Sequence, residues 1–165
     1  MILLLLACLD HDPIPGGAGD SFVAMQVDFA EFRSWASISV PEETGHPEGA
    51  REVFLNAAPD AGAPAFPVGT VIVKTIATAT GEDIHAMVKR GGGYNAAGAV
   101  GWEWFELVVA DDGTPVILWR GEVPPDGESY GQLPGQTADT GGAEGDCNVC
   151  HGAVSGNDYV HSVGL

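Results

Sequence analysis

Alternating apolar and polar positions in the middle of the chain predict β-strands. The segments with this alternation, which are also rich in β-branched and aromatic residues, are Arg51–Leu55, Thr70–Thr78, Ile84–Lys89, Trp102–Val109 and Pro115–Arg120. Gly81-Glu82 and Asp111-Asp112-Gly113 are suited to tight turns between neighbouring strands. The last four segments therefore predict an antiparallel meander. The expected fold class is α+β, mainly an antiparallel β-sheet with a few short helices.

Two other segments depart from this alternation. Residues 29–37 place Phe29, Phe32 and Trp35 or Ala36 on one helical face, which predicts a short amphipathic helix. Residues 121–146 are rich in glycine and proline and have no apolar periodicity, which predicts a long loop.

The period of two also assigns side chains to the two faces of the sheet. His85, Met87 and Lys89 fall on one face of their strand, and Lys74 shares a face with Ile72 and Ile76. An isolated strand histidine is most often structural, and a strand lysine often protects an exposed edge. Near a haem, however, histidine and methionine are both iron ligands.

The most specific motif is Cys147-Asn148-Val149-Cys150-His151, which has the C-x-x-C-H pattern of c-type haem attachment. Two thiols at this spacing can each form a thioether with a vinyl group of one porphyrin. The histidine that follows is then the proximal iron ligand. A disulfide, a redox dithiol or half of a zinc site could use the same two cysteines.

The N-terminal sequence bears on this choice, because it resembles a bacterial lipoprotein signal. Residues 1–8 are an apolar run ending in Leu5-Leu6-Ala7-Cys8, with Cys8 as the expected lipidation site, and the run is too short to span a bilayer. No basic n-region precedes it, which leaves open a true start upstream of Met1. Residues 9–21 are then a flexible tether, and 22–165 one haem domain. With haem on Cys147 and Cys150 and lipid on Cys8, all three cysteines have a role. The combination predicts a periplasmic or cell-envelope protein that is held to the outer membrane by lipid alone.

The charge composition limits the kinds of partner that the chain can bind. The net charge is −17, from 23 acidic and 6 basic residues. Nucleic acid is excluded as a partner, because binding phosphates requires a basic surface, whereas a basic redox partner would be attracted. Among the few bases, Arg51, Lys89 and Arg90 are candidates to bind the haem propionates.

The order of these motifs resembles the cytochrome P460 family, which includes the cytochromes c′-beta. The resemblance runs from about Phe29 to Leu165. The segments that carry it are Trp35, residues 45–49, Arg51–Asn56, Phe66–Lys74, Met87–Lys89, Gly93–Asn95, Trp102–Phe105, the late C-x-x-C-H and Asp158–Val160.

The resemblance implies one covalent haem c packed against a sheet, often in a homodimer. It implies that His151 is the proximal ligand and that Lys74 matches the lysine cross-linked to the porphyrin in P460 enzymes. His85 falls where those enzymes carry a distal carboxylate, so it is expected either to relay protons or to bind iron. Arg51 matches a basic position near the haem.

Three functions with haem remain open at this point, beside a lipoprotein without haem in which Cys147 and Cys150 form a disulfide. The first is oxidation of hydroxylamine at an open haem site, with electrons passed to an external acceptor. The second is non-catalytic binding of nitric oxide, as in the c′-beta proteins. The third is electron transfer by six-coordinate iron, with His85 or Met87 as the second axial ligand.

Overall fold

The alternating segments form one antiparallel sheet in chain order. A computed structural model describes residues 21–41, 49–79, 81–124 and 147–163. Its strands are β1 (Ala36–Val40), β2 (Arg51–Leu55), β3 (Val71–Thr78), β4 (Gly81–Lys89), β5 (Trp102–Val109) and β6 (Pro115–Gly121). The sheet order is β1-β2-β3-β4-β5-β6, and every neighbouring pair is antiparallel. The predicted mainly antiparallel fold class and the meander are therefore confirmed.

The described helices are short. Two 3-10 helices (Gln26–Phe29 and Phe32–Ser34) precede the sheet, and α1 (Cys147–Gly152) and a 3-10 helix (Ser155–Asn157) follow it. None of the described helices is long and apolar enough to cross a membrane. Residues 1–20, with Cys8, and most of the predicted 121–146 loop lie outside the described residues.

The amphipathic helix predicted over residues 29–37 is wrong. The 3-10 turns already bury Phe29 and Phe32, which are 0% and 1% exposed. The chain then enters β1, which the prediction missed. In β1, Ile38 and Val40 pair with Val53 and Arg51 of β2. Pairing with an adjacent strand satisfies backbone groups and favours β-branched residues, and this outweighs the weak helical spacing.

The two faces of the sheet carry separate apolar clusters, because successive side chains alternate between faces. We call the first the N-terminal cluster, since the N-terminal 3-10 helices cover it. Its main members are Phe29, Phe32, Phe54, Val73 and Phe105. We call the second the motif-side cluster. It contains Val53, Leu55, Phe66, Ile72, Met87, Ala99, Trp102, Trp104 and Val160, with Cys147, Tyr159 and Trp119 packed against it.

A buried carboxylate on the face of the N-terminal cluster forms ion pairs with two of the six basic residues. Glu103 is 2% exposed and pairs with Arg90 at 3.1 Å and with Arg120 at 2.7 Å. Burial raises the pKa of Tyr94, Glu103 raises it further, and Arg90 opposes the change. Arg90, one of three candidates for a haem propionate, pairs with Glu103, because a buried carboxylate needs a charged partner.

Removing an aromatic ring from the N-terminal cluster should destabilise the sheet. Phe29 packs on Phe105 with ring centroids 5.2 Å apart. Phe29→Ala should therefore lower the free energy of unfolding by about 3–5 kcal/mol, measured by denaturant titration. The exposed Leu118 (55%) provides the control, since Leu118→Ala should change that energy by no more than about 0.5 kcal/mol. Equal losses in both variants would contradict the assignment of the core.

Candidate haem-attachment site

The C-x-x-C-H motif forms the short helix α1 beside the motif-side cluster. Cys147 is half-buried and packs against that cluster, whereas Cys150 is exposed. Helical positions three apart share a face, so the two thiols lie on the same side of α1. Both cysteines are thiols in this structure, without a disulfide between them. The helix therefore offers two neighbouring thiols at the edge of an apolar surface.

Three contacts orient His151. Its ring lies 4.6 Å from that of Trp104 at an interplanar angle of 50°, and 5.1 Å from that of His161 at 84°. Its Nδ1 lies 2.6 Å from the Tyr159 carbonyl oxygen. A carbonyl only accepts, so Nδ1 must carry the proton, and Nε2 then carries the lone pair that binds a metal. A backbone carbonyl on Nδ1 is the usual partner of a metal-binding histidine.

The turn that supplies the Tyr159 carbonyl is tied to the sheet. Asp158 and Tyr159 both have left-handed backbone conformations, with φ of 48° and 66°. The Asp158 carboxylate accepts from Lys89 Nζ at 2.6 Å and from the Phe66 backbone N–H at 2.9 Å. Its carbonyl accepts from Trp102 Nε1 at 2.8 Å. These bonds fix the strained turn and therefore the oxygen that orients His151.

Asn148, inside the motif, binds the sheet directly. Its Oδ1 accepts from Asn95 Nδ2 at 2.7 Å, from the Ala99 N–H at 3.0 Å and from Trp104 Nε1 at 3.1 Å. Its Nδ2 donates to the Glu122 carbonyl at 2.8 Å. In the C-x-x-C-H pattern this residue is an unspecified position, so the motif gives no signal of its role; the role depends on the fold, which brings Asn95, Ala99 and Trp104 to it.

A polar row crosses the same face of the sheet. Lys74 pairs with His85 across β3 and β4, and His85 pairs with Glu106 across β4 and β5. Directly opposed residues have Cβ atoms about 4.5–5.5 Å apart. Glu106 also accepts from Trp119 Nε1 at 2.8 Å. All three members are half-buried, so the row brings an amine, an imidazole and a carboxylate side by side.

This polar row lies next to the motif helix. The neighbouring row of the sheet pairs Ile72 with Met87 and Met87 with Trp104, and Trp104 contacts His151. Residues two apart in a strand are separated by about 7 Å. Lys74 and His85 therefore lie one side-chain row away from Trp104, which contacts His151.

Arg51 lies on this face too. It is 4% exposed, its Nη1 donates to the Pro41 carbonyl at 3.4 Å, and it is two residues from Val53, the partner of Lys74 in β2. Lys89 shares the face, but its amine is bound by Asp158. Lys89, another of the three propionate candidates, is thus paired with a buried carboxylate.

Most of the predicted site residues lie together. Arg51, Lys74 and His85 are on the sheet face beside which Cys147 and His151 pack, whereas Cys150 is exposed. Four further residues, to which the sequence motifs assign no role, also contribute: Trp104, Glu106, Asn148 and Asp158. Glu106 could have been found from its period-two spacing with Trp104, whereas the role of Asp158 depends on a turn conformation that no motif encodes.

Within the described residues, no three or more His, Cys, Asp or Glu side chains are arranged to hold a metal ion. A haem iron needs only one protein ligand below it. Comparisons with protein-family models, with curated proteins and with solved structures gave no match.

The ion pair between Lys89 and Asp158 should be a major anchor of the C-terminal segment. Its side chains are only 10% and 9% exposed. Asp158→Asn leaves a buried ammonium without its counter-charge, so it should lower the free energy of unfolding by about 3–5 kcal/mol, measured by denaturant titration.

The exposed pair between Arg33 and Glu82 provides the control, with side chains 49% and 34% exposed. Arg33→Gln should cost no more than about 1 kcal/mol. A loss for Asp158→Asn as small as that of the control would show that the pair does not anchor the segment.

Proposed function

We propose that this chain is a monohaem c-type cytochrome of the cytochrome P460 type, which binds or oxidises small nitrogen species. The observation that carries the proposal is the packing of the C-x-x-C-H helix on the sheet face that bears Lys74 and His85. A family resemblance in sequence alone does not require these residues to share a face. Their proximity supports a single cofactor in contact with both.

The residues present fit a covalent haem. Cys147 and Cys150 offer two thiols on one side of α1. His151 is prepared as an Nε2 ligand by the Tyr159 carbonyl. The motif-side cluster offers apolar contacts to a porphyrin ring, and Arg51 and Lys74 are cations on the same face for its carboxylates. When bound, the haem iron would supply a redox-active centre that coordinates nitric oxide or hydroxylamine.

The chain's own residues have distinct roles in this proposal. His151 would hold the iron, with its ring fixed by Trp104 and Tyr159. Oxidation of hydroxylamine to nitric oxide releases protons and electrons in equal number. His85 would accept these protons one at a time, and Glu106, directly opposite His85 and fixed by Trp119, would take each one in turn. The electrons would go to an external redox partner.

Charge and sequence extend the proposal to the partner and the compartment. A net charge of −17 favours a basic redox partner. The lipobox-like Leu5-Leu6-Ala7-Cys8 supports a lipid-anchored protein of the periplasm or cell envelope.

Electron transfer by six-coordinate iron is the second candidate, because Met87 lies on the same face. Met87 is only 6% exposed and is packed between Ile72 and Trp104 in the sheet register. Binding of nitric oxide to the ferrous protein distinguishes the two. Rapid binding supports an open site, and a low-spin ferric form that excludes ligands supports the carrier.

Covalent haem should depend on the two motif cysteines and not on the third. The full chain would be produced with a c-type haem maturation system and stained for haem on a denaturing gel. The wild type and Cys8→Ala should retain stain, and a Cys147→Ala/Cys150→Ala double variant should lose it. Absence of stain in the wild type, or stain in the double variant, would overturn the haem assignment.

Lys74 should control the absorption spectrum if it is cross-linked to the porphyrin. The ferrous wild type should then show a strongly red-shifted Soret band, and Lys74→Ala and Lys74→Arg should both show an ordinary c-type band. An ordinary spectrum in the wild type would refute the cross-link.

Turnover of hydroxylamine separates catalysis from gas binding. If His85 takes the proton, His85→Ala should lower the turnover rate by about 10²–10⁴-fold.

A further inference from the structure

Asn148 is held by more hydrogen bonds than any other motif residue for which bonds are described. Its side-chain oxygen accepts three and its amide donates one. One donor, Asn95, is itself 2% exposed and also donates to the Trp102 carbonyl at 3.1 Å. A half-buried amide with all of these bonds made has one strongly preferred position.

The surrounding backbone leaves room only for this arrangement. A Cβ built on Gly98 would lie 2.3 Å from Asn148 Cγ and 2.6 Å from Asn95 Oδ1. The loop between β4 and β5 therefore closes around the Asn148 amide. On the other side, the bond to the Glu122 carbonyl joins the end of β6 to the start of α1.

Asn148 and His151 also share a contact. They are three residues apart in α1, and such positions lie on one helical face. Trp104 Nε1 donates to Asn148 Oδ1 at 3.1 Å, while the Trp104 ring packs on the His151 ring at 4.6 Å. The amide thus holds both the helix that carries His151 and the indole against which His151 rests.

We propose that Asn148 is the positioning residue that fixes the orientation of the proximal His151, through α1 and through Trp104. As a statement about an iron ligand it rests on the proposed function, although the orientation of the ring does not. The Tyr159 carbonyl fixes the proton of His151. Asn148 holds the Trp104 indole on which the His151 ring packs, and His161 makes a second, edge-to-face contact with that ring. Mutation of residues that orient a metal-binding histidine typically lowers metal affinity or activity by about 10–100-fold.

The test follows the His151 Nδ1 proton by NMR of the isotope-labelled full chain, in a diamagnetic state with or without haem. The wild type should show one slowly exchanging His151 ring N–H, protected by Tyr159 O. Asn148→Ala removes hydrogen bonds that oppose local opening, so it should speed this exchange by about tenfold. Asn148→Asp keeps the oxygen that accepts from Trp104 and should retain most of the protection.

Two further variants separate positioning from general loss of stability. Trp104→Phe removes the N–H but keeps an aromatic ring, and should also speed exchange. Val73→Ala removes two methyl groups from the N-terminal cluster on the opposite face, where Val73 is 0% exposed. It should lower the melting temperature without a comparable rise in the exchange rate of the His151 ring proton.

Two results would overturn the proposal. One is an unchanged exchange rate of the His151 ring proton in Asn148→Ala. The other is an exchange rate that rises no more in Asn148→Ala than in Val73→Ala, when the two variants have the same melting temperature. In the haem-loaded protein, Asn148→Ala should also shift or broaden the iron–histidine stretching band. Failure of the haem stain would refute the proposed function alone, because the His151 exchange measurement still tests the role of Asn148.

Discussion

The site depends most on the buried ion pair between Lys89 and Asp158. It joins the last residue of β4 to a turn that follows the C-x-x-C-H helix, and both side chains are about a tenth exposed. Desolvating two charges is costly, so such a pair persists only when other bonds complete it. Here the Phe66 backbone N–H donates a hydrogen bond to the Asp158 carboxylate, and the Val100 carbonyl accepts one from the Lys89 amine. The left-handed turn is thereby fixed, and with it the carbonyl that orients His151.

The second constraint is the alternation of side chains in paired strands. It separates the buried Glu103 and its two arginines from the face that bears Lys74, His85 and Glu106. In a chain with six bases and 23 acids, the placement of each base matters. Arg51 and Lys74 both lie on the motif side, where an anionic cofactor would need them. The same face therefore combines apolar contact, cationic side chains and a tethered histidine.

Much of this arrangement could be predicted from the sequence because it follows from local rules. Strands β2 to β6 follow from β-branched and aromatic alternation, and the shared face of His85 and Met87 follows from the period of two. The error at residues 29–37 arose because two buried phenylalanines at helical spacing also fit consecutive 3-10 turns. The partners of Lys89 and Arg90 depend on residues 69 and 13 positions away, which no local pattern reveals. The role of Asn148 depends likewise on a fold that brings Asn95, Ala99 and Trp104 together.

The central claim is that one haem lies between the motif helix and the sheet face bearing Lys74 and His85. A crystal structure of the holoprotein, with the iron located by its anomalous scattering, tests this most directly. We expect one iron bound by His151 Nε2, both motif sulfurs bonded to the porphyrin, and the Lys74–His85–Glu106 row facing it. An iron bound elsewhere, or a porphyrin that contacts neither Lys74 nor His85, would contradict the claim.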